Sequence, residues 1–150
     1  MPEKETLERA EQDKREGKSP STQAGEFVRE EIHHIREGKH GATSAKQAVA
    51  IGLSKARRAG VDLAPPKKGS VSEKTRKSAA RDSSRGHSRK KKAVSARRSR
   101  SSEAALKREP HSAASHKALS RQAKSAARTR KKGAARTTQS RRTQSKRKAA

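Results

Sequence analysis

Cysteine, tyrosine and tryptophan are absent from this chain of 150 residues, and phenylalanine occurs once, as Phe27. Without cysteine, neither a disulfide framework nor a thiolate metal site can form. Large aliphatic side chains are also scarce. Leu, Ile, Val and Phe together number 14, about 9% of the chain, where ~20% marks the lower limit expected of a highly charged chain that folds. Most of the remaining hydrophobic residues are alanine, which adds little buried area per residue. No apolar run approaches the ~20 residues needed to span a bilayer. The opening MPEKETLERAEQDKREG has no apolar stretch of the kind a secretory signal carries. These gaps predict an intracellular chain with no membrane span and no core along its whole length.

Acid is what the second half lacks. Residues 1–64 carry 12 Lys and Arg against 11 Asp and Glu, whereas residues 65–150 carry 29 against 4, for net charges of +1 and +25 that sum to +26. The expected organisation therefore has three parts: a charged N-terminal helix and linker over 1–20, a helical hairpin over 21–64, and a disordered Lys/Arg/Ala/Ser-rich tail over 65–150. The fold class that follows is mostly disordered with a small all-α element.

The N-terminal helix rests on i,i+4 pairs such as Glu5–Arg9 and Glu11–Arg15, each contributing ~0.2–0.5 kcal/mol. With only Leu7 and Ala10 as apolar contacts, it should fray as a single helix. The hairpin is better specified. Phe27, Val28, Ile32 and Ile35 fall on one face of a helix over about 22–37, and Gly38 stands where a cap belongs. A second helix over about 45–59 opens with Ser44-Ala45-Lys46-Gln47, a capping-box pattern. Val49 and Leu53 line its inner face, Gly60 suits its cap, and Pro65-Pro66 forbids continuation. Phe27, Val28, Ile32, Ile35, Val49 and Leu53 are the expected hairpin core. Units below ~40 residues usually need a metal, a disulfide or a partner, so these faces point to either a homodimer or docking on another protein.

Beyond Lys67 the chain is low in complexity, with KSAAR at 77–81 and 124–128 but no fixed period. Five basic clusters are the expected phosphate contacts. They are Arg89, Lys90, Lys91 and Lys92; Arg97, Arg98 and Arg100; Arg128, Arg130, Lys131 and Lys132; Arg141 and Arg142; and Lys146, Arg147 and Lys148. Stretches such as Ser101–Glu109 and His116–Arg130 should turn helical once a polyanion neutralises them. Duplex DNA carries one charge per ~1.7 Å, so 25 positive charges balance about 42 Å, or roughly 12 base pairs. Neutralising ~10 phosphates would give a slope of about −9 in log K against log salt. The tail has no aromatic side chain to stack on unpaired bases and no rigid element to read base edges.

His33, His34 and His40 lie near Glu30 and Glu37, yet two adjacent histidines point ~100° apart on a helix and cannot both face one ion. The expected reading is an exposed, salt-bridged face, with no metal. Catalysis finds no thiol, no strand-framed phosphate loop and no core in which to tune an acid or base, so neither enzymatic activity nor a cofactor is expected.

The segment SAKQAVAIGLSKARRAG at 44–60, preceded by EEIHHIREGKHG at 30–41, resembles small basic bacterial proteins of unknown function that carry a KQAxAIGLSxARRAG-type segment. The tail is similar in composition to linker-histone tails and bacterial histone-like proteins, with far less proline. The resemblance implies no activity for the hairpin and a histone-like role for the arm. The resulting expectation is a cytoplasmic, nucleoid-associated protein that binds and compacts DNA without sequence preference, with DNA ahead of RNA as partner. The alternatives are an RNA- or ribosome-associated protein, or a regulatory adaptor acting through the hairpin.

Overall fold

Hydroxyl side chains start three of the helices. The Ser19 hydroxyl accepts from the Thr22 amide at 3.4 Å, Ser44 from Gln47 at 3.2 Å and Ser72 from Thr75 at 3.2 Å, each satisfying one of the orphan donors of a first turn. In the computed structural model, which describes residues 2–88 and 95–148, with side chains up to 133 in the last helix, these starts belong to α2 (Pro20–Arg36), α3 (Ala45–Arg58) and α4 (Glu73–His87). They follow α1 (Lys4–Arg15) and precede α5 (Ala96–Lys107), a 3₁₀ turn at His111–Ala114 and α6 (His116–Lys148). Among the described residues there is no β-strand.

The helices stop as deliberately as they start. Gly38, at φ +75°, lets its amide reach Ile35 O at 3.2 Å while the Lys39 amide reaches His34 O at 3.0 Å, a Schellman closure that needs the left-handed backbone glycine adopts freely. Gly60 repeats it after α3, with the Val61 amide on Ala56 O at 3.1 Å. Val61 then folds into the same apolar cluster as Ala56.

Residues 1–115 form one compact unit and 116–150 another. In the first, α2 packs on α1 and α3, and α3 packs on α4. Small residues make the α2–α3 crossing close. Ala48 and Ala56 are fully buried, and a Cβ on Gly52 between them would lie 2.7 Å from Val28 Cα. One apolar cluster joins Ala10, Ala24, Phe27, Ala56 and Val61, flanked by Leu7, Leu53 and Leu63. A second joins Ile35, Ala42, Ala48, Ala113 and Ala114, flanked by Ile32. The second cluster is closed by the segment after α5; the last turn of α5 accepts the Gly41 amide at Leu106 O (2.9 Å), and the following segment accepts the Ala42 amide at Pro110 O (3.1 Å).

This architecture overturns the expectation of a mostly disordered chain carrying a small helical element. The described residues are predominantly helical, and residues 1–115 are compact. The composition argument counted large side chains, but close backbone approach lets alanine and glycine build a core in which a smaller volume fills the gap. Part of that core comes from the basic stretch itself, as Ala79, Ala113 and Ala114 are buried. Helices α5 and α6 cover the stretches expected to become helical only on a polyanion. Helix α1 does not stand alone either. Leu7 and Ala10 pack on the Phe27 cluster, Thr6 is fully buried, and Arg9 Nε donates to Glu26 at 2.9 Å.

Of the six residues expected to form the hairpin core, Phe27 and Ile35 are buried, while Val28, Ile32, Val49 and Leu53 are only half-buried. The faces expected to need a second copy or another protein are largely filled by α1, α4 and residues 113–114 of the same chain. Among the described residues, no helix is long and apolar enough to cross a membrane.

Candidate nucleic-acid interface and a buried charge cluster

From Pro110 to Ala150 the sequence contains 13 Lys and Arg and no Asp or Glu. Most of this stretch is α6, 33 residues long, or about 50 Å at ~1.5 Å per residue. Ala, Lys, Arg and Gln supply strong intrinsic helix preference. Lys117, Arg121, Lys124, Arg128 and Lys131 recur at steps of four and three residues, which puts them on one face. All five are exposed, as is Lys132 beside them. The stripe places a positive charge about every 5 Å along the axis, roughly two-thirds of the linear charge density of one DNA strand at ~3.4 Å per phosphate.

Helix α4 separates its charges in a similar way. Lys74, Lys77, Arg81 and Arg85 lie at steps of three and four and are exposed. Its aspartate faces inward: Asp82 accepts from Ser54 Oγ at 2.6 Å and lies 3.9 Å from Arg58. Glu73 is bound by Arg76, whose Nε donates at 3.0 Å, and that hydrogen bond holds the Glu73 carboxyl below its ordinary value. On α5, Glu103 is likewise lowered by its hydrogen bond to Lys107, at 2.9 Å. The acids of these helices are thus already paired, and surplus basic charge remains outward.

Of the sequence-expected contacts, Arg97, Arg98 and Arg100 are exposed on the first turns of α5, and Arg128, Arg130, Lys131 and Lys132 are exposed on α6. Arg141, Arg142, Lys146, Arg147 and Lys148 lie on the α6 backbone, with side chains outside the described residues. Arg89, Lys90, Lys91 and Lys92 fall outside the described residues altogether. Lys117, Arg121 and Lys124 lie outside the dense clusters, and the 4,3,4,3 spacing puts them on the same face as Arg128 and Lys131.

A second group of charges is buried where α2, α3 and the α2–α3 turn meet. Glu30 and Glu31 are almost wholly enclosed, each side chain 1% exposed, and Lys55 Nζ lies 3.3 Å from Glu30 Oε1 and 2.6 Å from Glu31 Oε2. His34 Nε2 is 2.8 Å from Glu3 Oε1, and His40 Nε2 is 3.2 Å from Glu31 Oε1. The hydrogen bonds from His34 and Lys39 hold the Glu3 carboxyl below its ordinary value. His33 points away and pairs with Glu37 at 3.0 Å on the exposed side. The two adjacent histidines thus have different roles, and the pattern to read was Glu31-x-x-His34 with His40 returned by the turn.

Residues 13–68 match the model of a family of unknown function (DUF6496), so the hairpin and its flanks are similar to that family. No curated protein matches the chain, and no solved structure matches it.

Proposed function

We propose that the protein is a non-enzymatic, nucleoid-associated DNA-binding and compacting protein, cytoplasmic, which engages phosphate backbones without sequence preference through α6 and the other exposed basic helices. The observation that carries this reading is the acid-free α6, with Lys117, Arg121, Lys124, Arg128 and Lys131 in register on one face. A helix face carrying charge at that density attracts a phosphate backbone, and counterion release supplies the affinity. The absence of Phe, Tyr and Trp from residues 65–150 favours duplex over stacked single strands. Helix α5 supports the same reading. It opens on Arg97, Arg98 and Arg100 with no acid in its first turn and no side-chain cap, so a phosphate there would meet both the guanidinium groups and the open end of the helix.

The test is a salt series of binding isotherms on duplex DNA. Replacing Lys117, Arg121, Lys124, Arg128 and Lys131 together with Gln should flatten the log–log salt slope by about 4 to 5, at ~0.9 per lost phosphate contact. An unchanged slope would remove α6 from the interface. Equal or tighter binding to structured RNA would reassign the polymer. If the quintuple variant complements a deletion strain while Phe27→Ala with Ile35→Ala does not, the protein is an adaptor working through the hairpin. Sedimentation at working concentration decides whether a homodimer takes part.

A further inference from the structure

The buried charge cluster has an arrangement that ion pairing alone leaves incomplete. His40 Nδ1 lies 3.1 Å from Gly41 O. A carbonyl oxygen only accepts, so Nδ1 carries the proton and the neutral ring keeps its lone pair on Nε2. That lone pair faces Glu31 Oε1 at 3.2 Å. Two acceptors pointed at each other require a cation. Glu31 is fully buried, and neither of its carboxylate oxygens has a hydrogen-bond partner among the described residues. Lys55 Nζ, 2.6 Å from Oε2, supplies charge but no hydrogen bond, and Oε1 is left to the His40 side.

His34 is set up in the same way. Glu3 Oε1 accepts from His34 Nε2 at 2.8 Å, which leaves Nδ1 bare. Nδ1 then lies 4.0 Å from Glu30 Oε1. Each imidazole therefore anchors its outer N–H on an oxygen and turns its other nitrogen inward, the arrangement that outer partners impose on metal-ligating histidines. One ligand atom from each of Glu31, His34 and His40 can be chosen so that all three lie within 4.8 Å of one another. A tetrahedral ion with bonds of ~2.0–2.1 Å holds its ligands about 3.4 Å apart, so small side-chain rotations close the set. The charge count agrees, since among the described residues Glu3, Glu30 and Glu31 share the ammonium groups of Lys39 and Lys55.

We propose that Glu31, His34 and His40 bind a single divalent transition-metal ion, zinc by the donor set of two imidazoles and one carboxylate, with water completing the shell. The ion staples the α2–α3 turn, which carries His40, to the last turns of α2. It thereby holds in place the loop that also meets residues 106–110. All three ligands lie on α2 and the turn that follows it, apart from the basic helices.

The full-length chain, stripped with chelator, is titrated with Zn²⁺ against a chromophoric competitor and with Co²⁺ monitored by visible absorption. One ion per chain is expected, with Co²⁺ giving the intense bands of a four-coordinate site. His40→Ala and Glu31→Gln should each weaken binding at least about tenfold. Glu3→Gln, which loosens His34 without removing a ligand, should cost about 10- to 100-fold. His33→Ala and His111→Ala should change nothing. The melting temperature should rise with Zn²⁺ in the parent and stay fixed in His40→Ala. If circular dichroism shows His40→Ala unfolded, His40→Gln takes its place, and the Co²⁺ spectrum of the parent remains an independent readout. No saturable uptake, six-coordinate Co²⁺ spectra, or loss of binding with His33→Ala in place of His40→Ala overturns the site and leaves a proton on His40 as the missing cation.

Discussion

Gly52 sets the separation of α2 and α3, and its replacement tests how tight that crossing is. An added Cβ meets Val28 Cα at 2.7 Å and Val28 N at 2.9 Å, and these backbone atoms cannot swing aside. Alanine is the better helix former by ~1 kcal/mol, while overpacking costs typically 1–3 kcal/mol. The clash with backbone should win, so Gly52→Ala lowers stability by about 1 kcal/mol or more in urea unfolding. A gain in stability would mean the helices separate more easily than the contact implies. Lys55 offers a second probe at this scale. Its ammonium group lies between Glu30 and Glu31, both enclosed, so Lys55→Met in chelator-treated protein strands two buried carboxylates. Breaking such a group costs on the order of 3–5 kcal/mol, seen as a large fall in the urea midpoint. Adding Glu31→Gln to Lys55→Met should recover part of the loss, which a simple packing defect would not allow.

At the scale of the element, the helix ends were legible in the sequence and the contacts between distant elements were not. Ser44 and Gln47 announce α3, and the structure places the Ser44 hydroxyl on the Gln47 amide. Gln47 Oε1 accepts from the Thr43 amide at 2.8 Å, one residue before the partner a capping box prescribes. Gly38 and Gly60 close α2 and α3 where a glycine rule puts them. By contrast, no periodicity announces that Ala113 and Ala114 pack on Ile35, because that contact spans more than 70 residues and alanine gives no pattern of its own. Glu30 and Glu31 were legible as acids on a helix but not as buried ones, since their enclosure depends on Lys55 from α3. The basic face of α6 stood in the sequence throughout and was obscured by the denser clusters around it.

Helix ends also carry the chain's acid sensitivity. Hydrogen bonds from Lys18, Lys39 and Arg76 hold Glu16, Glu37 and Glu73, respectively, below the ordinary carboxylate value of 4.5. A carboxylate lowered on folding stabilises the native state fully above its unfolded value, and the contribution disappears as pH falls through the folded value. Thermal stability should therefore hold from neutral pH to about 4.5 and decline progressively below it. Because these pairs are exposed, added salt should shrink the decline. A melting temperature that rises on acidification below pH 4.5 would contradict the ion pairs around the helix termini.

For the molecule as a whole, the decisive boundary is the end of the 3₁₀ turn at Ala114. All the described core residues lie at or before that point, and residues 1–115 form one compact unit. The last of them close the cluster around Ile35 and Ala48, and Arg36 Nε donates to Ala114 O at 3.0 Å. A chain ending at Ser115 should thus unfold cooperatively with a midpoint near that of the full protein, although it has lost 13 basic residues. A chain ending at Pro110 loses only five residues more, yet it uncovers Ile35, Ala42 and Ala48 and strips Arg36 of its acceptor. Its stability should fall by about 2–4 kcal/mol, the range for opening a cavity in a packed cluster, with a broadened transition and increased dye binding to exposed apolar surface. The same pair of chains separates fold from proposed function. Both lack α6, so both should show a much flatter salt dependence on duplex DNA than the parent, while only the shorter one is unstable. If the two truncations were equally stable, residues 111–115 would not belong to the core.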